Sequence, residues 1–121
     1  MTVELDHTIV PAHDKQASAV FLGTILGVPV GAPAGPFVPL QVGHGVTLDY
    51  DDRWDVAPHH YAFFVDDATF DAALARLEAD GITIYADPGH HQAGEMNARR
   101  GGRGLYFSDP NGHNMEIFTR R

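Results

Sequence analysis

The sequence predicts an α+β fold made of two similar modules, each with a strand, a helix and further short strands. Three observations predict it: a strand-like run followed by an amphipathic helix occurs twice, further short strand-like runs follow each copy, and the spacing within the two copies nearly matches. His7 lies seven residues before Asp14, and His60 lies seven residues before Asp67. Modules of about 55 to 60 residues are too small to bury separate cores, so we expect them to share one.

The first module spans about residues 1–54. Residues 3–10 are predicted to form a strand, and Asp14 is predicted to cap a helix that runs to about Leu26, with Gly27 at its end. Two strand-like runs follow at residues 37–42 and 46–50. The Pro/Gly-rich stretch at residues 29–36 separates these runs from the helix.

The second module spans about residues 55–121 and repeats this order. Residues 60–65 are predicted to form a strand, Asp67 to cap the helix and Gly81 to end it, with strands at 82–85, 104–108 and 114–119. The helices are expected to cover one face of the sheets, and the other face to close around a cavity. The duplication therefore predicts a pseudo-symmetric site near the boundary of the modules.

Composition excludes several classes of function. The chain of 121 residues has eight Lys and Arg against 16 Asp and Glu, so its net charge of −8 disfavours a nucleic-acid partner. It has no cysteine, which excludes thiolate ligands and disulfides. No apolar run approaches the roughly 18 residues of a membrane helix, and the N-terminus has no secretory signal pattern. We expect one domain, no membrane association and a cytoplasmic location.

Two histidines and one glutamate are the candidate metal ligands. Strand alternation points His7, His60 and Glu116 to the face that the helices leave free. Two imidazoles and a carboxylate suit one divalent metal, whose charge would compensate a buried glutamate. The alternative is that the histidines are hydrogen-bonded structural residues and that Glu116 faces water on an edge strand.

The motifs that carry these residues resemble those of the vicinal oxygen chelate superfamily, which includes glyoxalase I, extradiol dioxygenases, and fosfomycin- and bleomycin-resistance proteins. They are LDHTIV, HHYAFFVDD and GGRGLYFSDPNGHNMEIFT. The resemblance implies paired βαβββ modules that form a curved, partly open barrel-like sheet around a metal-binding cavity. It also implies a homodimer and one divalent metal ion (Fe, Mn, Zn or Ni) on His7, His60 and Glu116. His60 fits as the ligand better than His59, because a Tyr-Ala-Phe run follows it.

Differences from two members of that superfamily disfavour a glutathione-dependent glyoxalase and a fosfomycin transferase. Glyoxalase I enzymes have a further Glu ligand in the last strand of the first module, where this chain has Asp49 instead. Fosfomycin-resistance transferases have a serine- and lysine-bearing loop where this chain has residues 94–104. Extradiol dioxygenases have a tyrosine ten residues before the ligand Glu, as Tyr106 stands before Glu116. Tyr106 is thus predicted either to act in catalysis on bound substrate oxygen or to pack in the core.

The predicted function is that of a mononuclear metal enzyme that chelates adjacent oxygens of a small-molecule substrate. The reaction is either a dioxygenase-like oxidation or a lyase or isomerase step. Asp49, Tyr61 and Arg103 are predicted to bind the substrate. The alternative is a metal-independent protein that sequesters a cationic drug, which the acidic charge would suit.

Three further groups of polar residues have weaker signals. The arginines at 99, 100 and 103 either bind an anionic substrate or keep their loop solvated, and solvation is favoured. His90 and His91 lie in a loop that could cover the cavity. His113 follows an Asn-Gly turn and is expected to be solvated.

Overall fold

A computed structural model describes residues 2–121, which form two α-helices and two three-stranded sheets. The first half contains β1 (His7–Pro11), α1 (Lys15–Leu26), β2 (Val38–Val42) and β3 (Val46–Asp51). The second half contains β4 (His60–Phe64), α2 (Asp67–Ala79), β5 (Gly104–Ser108) and β6 (Asn114–Phe118), with a single 3₁₀ turn at Arg99–Gly101.

The two sheets have the same topology. Their strand orders are β1-β3-β2 and β4-β6-β5. The central strands β3 and β6 run parallel to β1 and β4, respectively, and antiparallel to β2 and β5. The predicted α+β class with two related modules is confirmed. The two sheets are not joined by strand pairing within residues 2–121, which fits the predicted partly open arrangement.

The strand predicted at residues 82–85 is reduced to isolated bridges. Tyr85 and Tyr106 exchange backbone hydrogen bonds of 2.9 and 2.8 Å, but no ladder continues from them. The chain then turns away at Asp87-Pro88-Gly89, where proline lacks the N–H that a ladder needs. Likewise, Gly31 donates to the Pro39 carbonyl, and Pro39 has no N–H to return the bond.

The helix ends follow local capping rules. The Asp14 carboxylate accepts a 3.0 Å hydrogen bond from the Ala17 N–H, and Gly27 takes the left-handed conformation at φ 73°, both as predicted. In α2 the cap is Asp66 rather than Asp67, because Asp66 has the extended backbone that lets its carboxylate accept from the Thr69 N–H at 2.8 Å. The first strand also begins later than predicted, at His7.

One hydrophobic core joins both halves. Each sheet turns one face toward the helices, and large side chains of both sheets and both helices are fully buried there; among them are Val10, Leu22, Ile25, Leu40, Tyr50, Phe70, Leu77, Leu105, Phe107, Met115 and Ile117. Burial of each large apolar side chain contributes about 1.5–3 kcal/mol. The opposite face of each sheet is left free of helices.

A buried polar network links the turn before β6 to the start of the first module. The Asn111 carboxamide accepts from the His13 backbone N–H at 2.8 Å and donates to the Ser18 hydroxyl at 2.9 Å. His113, which the sequence predicts to be solvated, is fully buried. Its Nδ1 accepts from the His59 backbone N–H, so Nε2 carries the proton and donates to the Pro11 carbonyl at 2.7 Å. The turn therefore holds the two halves together.

None of the helices in residues 2–121 is long and apolar enough to cross a membrane.

Replacing Asn111 with alanine should lower the free energy of unfolding by about 2–3 kcal/mol, because buried partners lose their hydrogen bonds. Urea denaturation of the variant and the wild type measures this difference. The exposed Gln92→Ala is the control and should change stability little. A loss below about 0.5 kcal/mol for Asn111→Ala would contradict the role given to the network.

Candidate functional site

The helix-free face of the second sheet gathers the polar side chains of the site. In the parallel pairing of β4 with β6, His60 lies opposite Asn114 and Ala62 lies opposite Glu116. In the antiparallel pairing, Tyr106 lies opposite Glu116 on its other side. Directly paired residues share a face, so these five side chains lie together, on the side of the sheet that faces away from the core.

His60 and Glu116 are in direct contact. Their Nε2 and Oε1 atoms are 3.0 Å apart. The Glu116 side chain is only 13% exposed, and within residues 2–121 no Lys or Arg nitrogen lies within 4.0 Å of its carboxylate. A largely buried carboxylate needs a compensating partner, and His60 supplies one.

His7 lies apart from that pair. It stands at the start of β1 in the other sheet, where its Nδ1 lies 2.7 Å from Asp6 Oδ2 and its side chain is 61% exposed. The hydrogen bond to Asp6 and the charge of that carboxylate raise the pKa of His7. Within the described residues, no group of three or more His, Asp and Glu side chains is placed to hold one metal ion. One chain therefore brings together two of the three predicted ligands.

Asp49 is the counterpart of Glu116 in the duplicated fold. It lies opposite Ile9, two residues after His7, just as Glu116 lies opposite Ala62, two residues after His60. Each sheet thus carries a histidine and a carboxylate at equivalent positions. The predicted pseudo-symmetry is present in these equivalent positions, but they lie on separate sheets.

Tyr106 is a buried member of the site face. Its ring centroid lies 5.8 Å from that of His60, and its hydroxyl accepts a 2.5 Å hydrogen bond from Arg99 Nη1. Burial is the main cause that raises the pKa of Tyr106, so its hydroxyl stays protonated at neutral pH. It can donate a hydrogen bond to an oxygen bound beside Glu116.

Tyr61 and Arg103 are both predicted to bind substrate, but neither contacts His60. Tyr61 is on the opposite face of β4, with its ring edge-on to His113 at 5.4 Å. Arg103 forms ion pairs with Asp67 and Asp71 at the start of α2. The structure therefore brings neither side chain into contact with the His60–Glu116 pair.

His90, on the loop that the sequence suggests could cover the cavity, is a further residue beside the site face. It has a left-handed backbone, φ 59°, which is uncommon for a residue other than glycine. Its ring stacks on Tyr85 with centroids 4.1 Å apart, and Tyr85 pairs with Tyr106. His90 is thereby held over the face that carries Glu116.

The Asn114 carboxamide defines which His90 nitrogen carries the proton. Its Nδ2 donates to the Pro88 carbonyl at 3.0 Å, so its Oδ1 faces His90 Nε2 at 2.8 Å. Nε2 must then donate, and the lone pair lies on Nδ1. Nδ1 has no hydrogen-bond partner within residues 2–121. This imidazole can accept a proton.

The donor atoms fit a divalent transition metal. An imidazole nitrogen and a carboxylate oxygen suit Fe, Mn, Zn or Ni, and those of His60 and Glu116 already converge on a face open to solvent. Among residues 2–121, no third His, Asp or Glu side chain joins this pair at a distance suited to one metal ion.

Comparison with known proteins agrees with this fold. The family model of the Glyoxalase/Bleomycin resistance protein/Dioxygenase superfamily matches residues 4–117. Glutathione transferase FosA from Serratia marcescens is 30% identical over 124 residues, which cover 97% of this chain and 81% of FosA.

Two solved oxidases resemble the whole chain. Oxidase ChaP-H2 is 54% identical with a TM-score of 0.97, over 100% of this chain and 96% of that one. Oxidase ChaP-H1 is 50% identical with a TM-score of 0.96, over 99% of this chain and 98% of that one.

Proposed function

The chain belongs to the Glyoxalase/Bleomycin resistance protein/Dioxygenase superfamily, and we propose that it is a metal-dependent oxidase of a small molecule with two adjacent oxygen atoms. The observation that carries this proposal is the convergence of His60 Nε2 and Glu116 Oε1 beside the Tyr106 hydroxyl. The likeness of the whole chain to two oxidases favours oxidation over the isomerase or lyase step.

In this proposal His60 and Glu116 of one chain and the partner's His7 hold one divalent metal ion. Two imidazoles and one carboxylate leave positions open on the other side of the ion. The bound ion would act as a Lewis acid toward both substrate oxygens and favour their ionised form. Its charge would also compensate the buried Glu116 carboxylate.

Two features of the fold support a dimer that completes the site. Within residues 2–121, β1 and β4 are each paired on one edge only, and unpaired strand edges are surfaces where another chain can add. An apolar groove of about 660 Å³ lies between the two sheets, lined by residues of β1, β3 and β4 and by the exposed Leu5 and Phe64. A second copy of the chain seated there would bring its own β1, and with it His7, toward β4.

Two residues of the chain have further roles in the proposal. The Tyr106 hydroxyl donates a hydrogen bond to a substrate oxygen and so orients the substrate. His90 accepts a proton from a substrate hydroxyl at Nδ1, since Asn114 holds the opposite nitrogen as a donor. Tyr61 has no role here, because it faces the core side of β4.

The alternative function, sequestration of a cationic drug, is disfavoured by charge next to the site. Arginines 99, 100, 103 and 120 line the cavity beside Glu116, and they would repel a cationic ligand.

Mixing two inactive variants tests whether the metal site is shared between chains. His7→Ala and His60→Ala should each lose divalent metal. After joint unfolding and refolding, mixed dimers have one intact site, so metal content should return to about one quarter of the wild-type value. Elemental analysis of the dialysed protein measures it. His13→Ala, an exposed residue between β1 and α1 that lines neither the groove nor the site, is the control that should bind metal as the wild type does.

Recovery of no metal in the mixture would show that the site is not shared. Retention of metal by His60→Ala alone would show that His60 is not a ligand.

Oxygen uptake tests the reaction class. The iron-loaded protein, given a panel of catechols and 2-hydroxyketones, should consume dioxygen, the oxidant of the proposed reaction. Glu116→Gln should lower the rate on the order of 100-fold or more, and His90→Gln should lower it about tenfold with metal content unchanged. Conjugation of fosfomycin to glutathione in place of oxygen uptake would contradict the oxidase proposal.

A further inference from the structure

The cavity beside Glu116 is lined by four arginines. Its volume is about 330 Å³, and its lining includes Tyr106 and Glu116 from the sheet and the arginines at 99, 100, 103 and 120. In a chain of net charge −8, four of the eight Lys and Arg residues meet at this one concavity. A local reversal of charge concentrates anions near the surface that carries it.

The loop that carries three of these arginines is anchored at its base. Asn97 and Gly104 exchange backbone hydrogen bonds of 2.9 and 3.1 Å, and the Asn97 amide donates to the Ala86 carbonyl at 2.9 Å. A Cβ at position 104 would lie 2.7 Å from Asn97 Oδ1, so a larger residue there would displace the Asn97 carboxamide. The loop is therefore tied down on the β5 side.

The other side of the loop is joined to the end of β6. The Arg103 backbone N–H donates to Thr119 Oγ1 at 2.9 Å, and the Thr119 N–H donates to the Arg103 carbonyl at 3.0 Å. A Cβ at Gly102 would collide with the side chains of Thr119 and Arg120. These contacts hold the loop and Arg120 on the same side of the cavity.

Three of the four guanidinium groups have no acidic partner. Arg103 is paired with Asp67 and Asp71, whereas Arg99, Arg100 and Arg120 have no carboxylate within 4.0 Å among residues 2–121. Arg100 also takes the left-handed backbone at φ 57°, a strained conformation for this residue type that clusters at functional sites. The sequence favours solvated loop residues here, but the structure shows these arginines lining a cavity.

We propose that this cavity binds the carboxylate of an aromatic acid. Planar guanidinium groups match a carboxylate with paired hydrogen bonds. Arg99 is already positioned by its bond to the Tyr106 hydroxyl, with its guanidinium carbon 5.5 Å from the ring centroid. Ala62 and Phe118 provide the apolar wall against which an aromatic ring can pack.

The role of this carboxylate subsite in orienting the substrate rests on the proposed function. A ligand whose carboxylate lies between the arginines would extend across Tyr106 and Glu116 toward His60, which lie on the same face of the sheet. The carboxylate would then set which adjacent oxygens reach the proposed metal position. The binding itself requires only the arginines, so it can be measured on metal-free protein.

Benzoate and benzamide are the matched probes, since they differ in charge and hardly in shape. Calorimetric titration of chelator-treated protein should show benzoate binding with a Kd on the order of 1 mM, and benzamide should bind at least about tenfold more weakly. Inorganic phosphate should bind more weakly than benzoate, because it lacks the ring. Equal affinity for benzoate and benzamide, or tighter binding of phosphate, would overturn the proposal.

Variants locate the binding. Arg99→Gln and Arg100→Gln should each weaken benzoate binding about tenfold, with the thermal transition showing that both fold. Lys15→Gln removes a charge from the other half of the chain, where Lys15 lies near Asp52, and should leave benzoate binding unchanged. An unchanged Kd in both arginine variants would overturn the assignment.

His60→Ala separates this proposal from the proposed function. It should keep benzoate binding while losing metal. If the wild-type protein bound benzoate but no divalent metal, the proposed function would fail and the carboxylate subsite would stand. Metal binding without benzoate binding would instead refute the subsite and leave the proposed function standing.

Discussion

The register between β4 and β6 is the constraint on which the site depends. It sets Ala62 opposite Glu116 and His60 opposite Asn114, so the small side chain leaves room above the carboxylate. A slip by one residue would turn Glu116 into the core and Met115 or Ile117 out of it. The turn before β6 opposes such a slip, because Asp109 Oδ1 accepts from the backbone N–H groups of Asn111 and His113, both at 2.8 Å.

The same turn connects the site to the rest of the molecule. Asn111 and His113 bind backbone groups of the first module and of the segment before β4, so the position of β6 and the docking of the two halves depend on each other. The helices complete this arrangement by covering the core side of both sheets, and Arg76 of α2 donates to the Ile25 carbonyl of α1 at 3.1 Å. The polar faces of both sheets are left free, each with a histidine and a carboxylate.

Features governed by local rules could be predicted from the sequence. The Asp14 cap, the Gly27 terminus and the face of β6 that carries Glu116 depend on neighbours in the chain or on strand alternation, and the structure has all three.

The separation of His7 from His60 could not be predicted, because it depends on how two sheets are placed. The burial of His113 depends on a carbonyl 102 residues away. For the arginines at 99, 100 and 103 the sequence offered both anion binding and solvation and favoured solvation. It could not show that they line a cavity, because the other lining residues come from β4, β5, β6 and the C-terminal segment.

A metal-loaded crystal structure with anomalous diffraction at the metal absorption edge tests the central claim most directly. We predict one anomalous peak per chain, within bonding distance of His60 Nε2 and a Glu116 oxygen of one chain and of His7 of the second chain. A peak that contacts neither His60 nor Glu116, or His7 left away from every peak, would contradict the account.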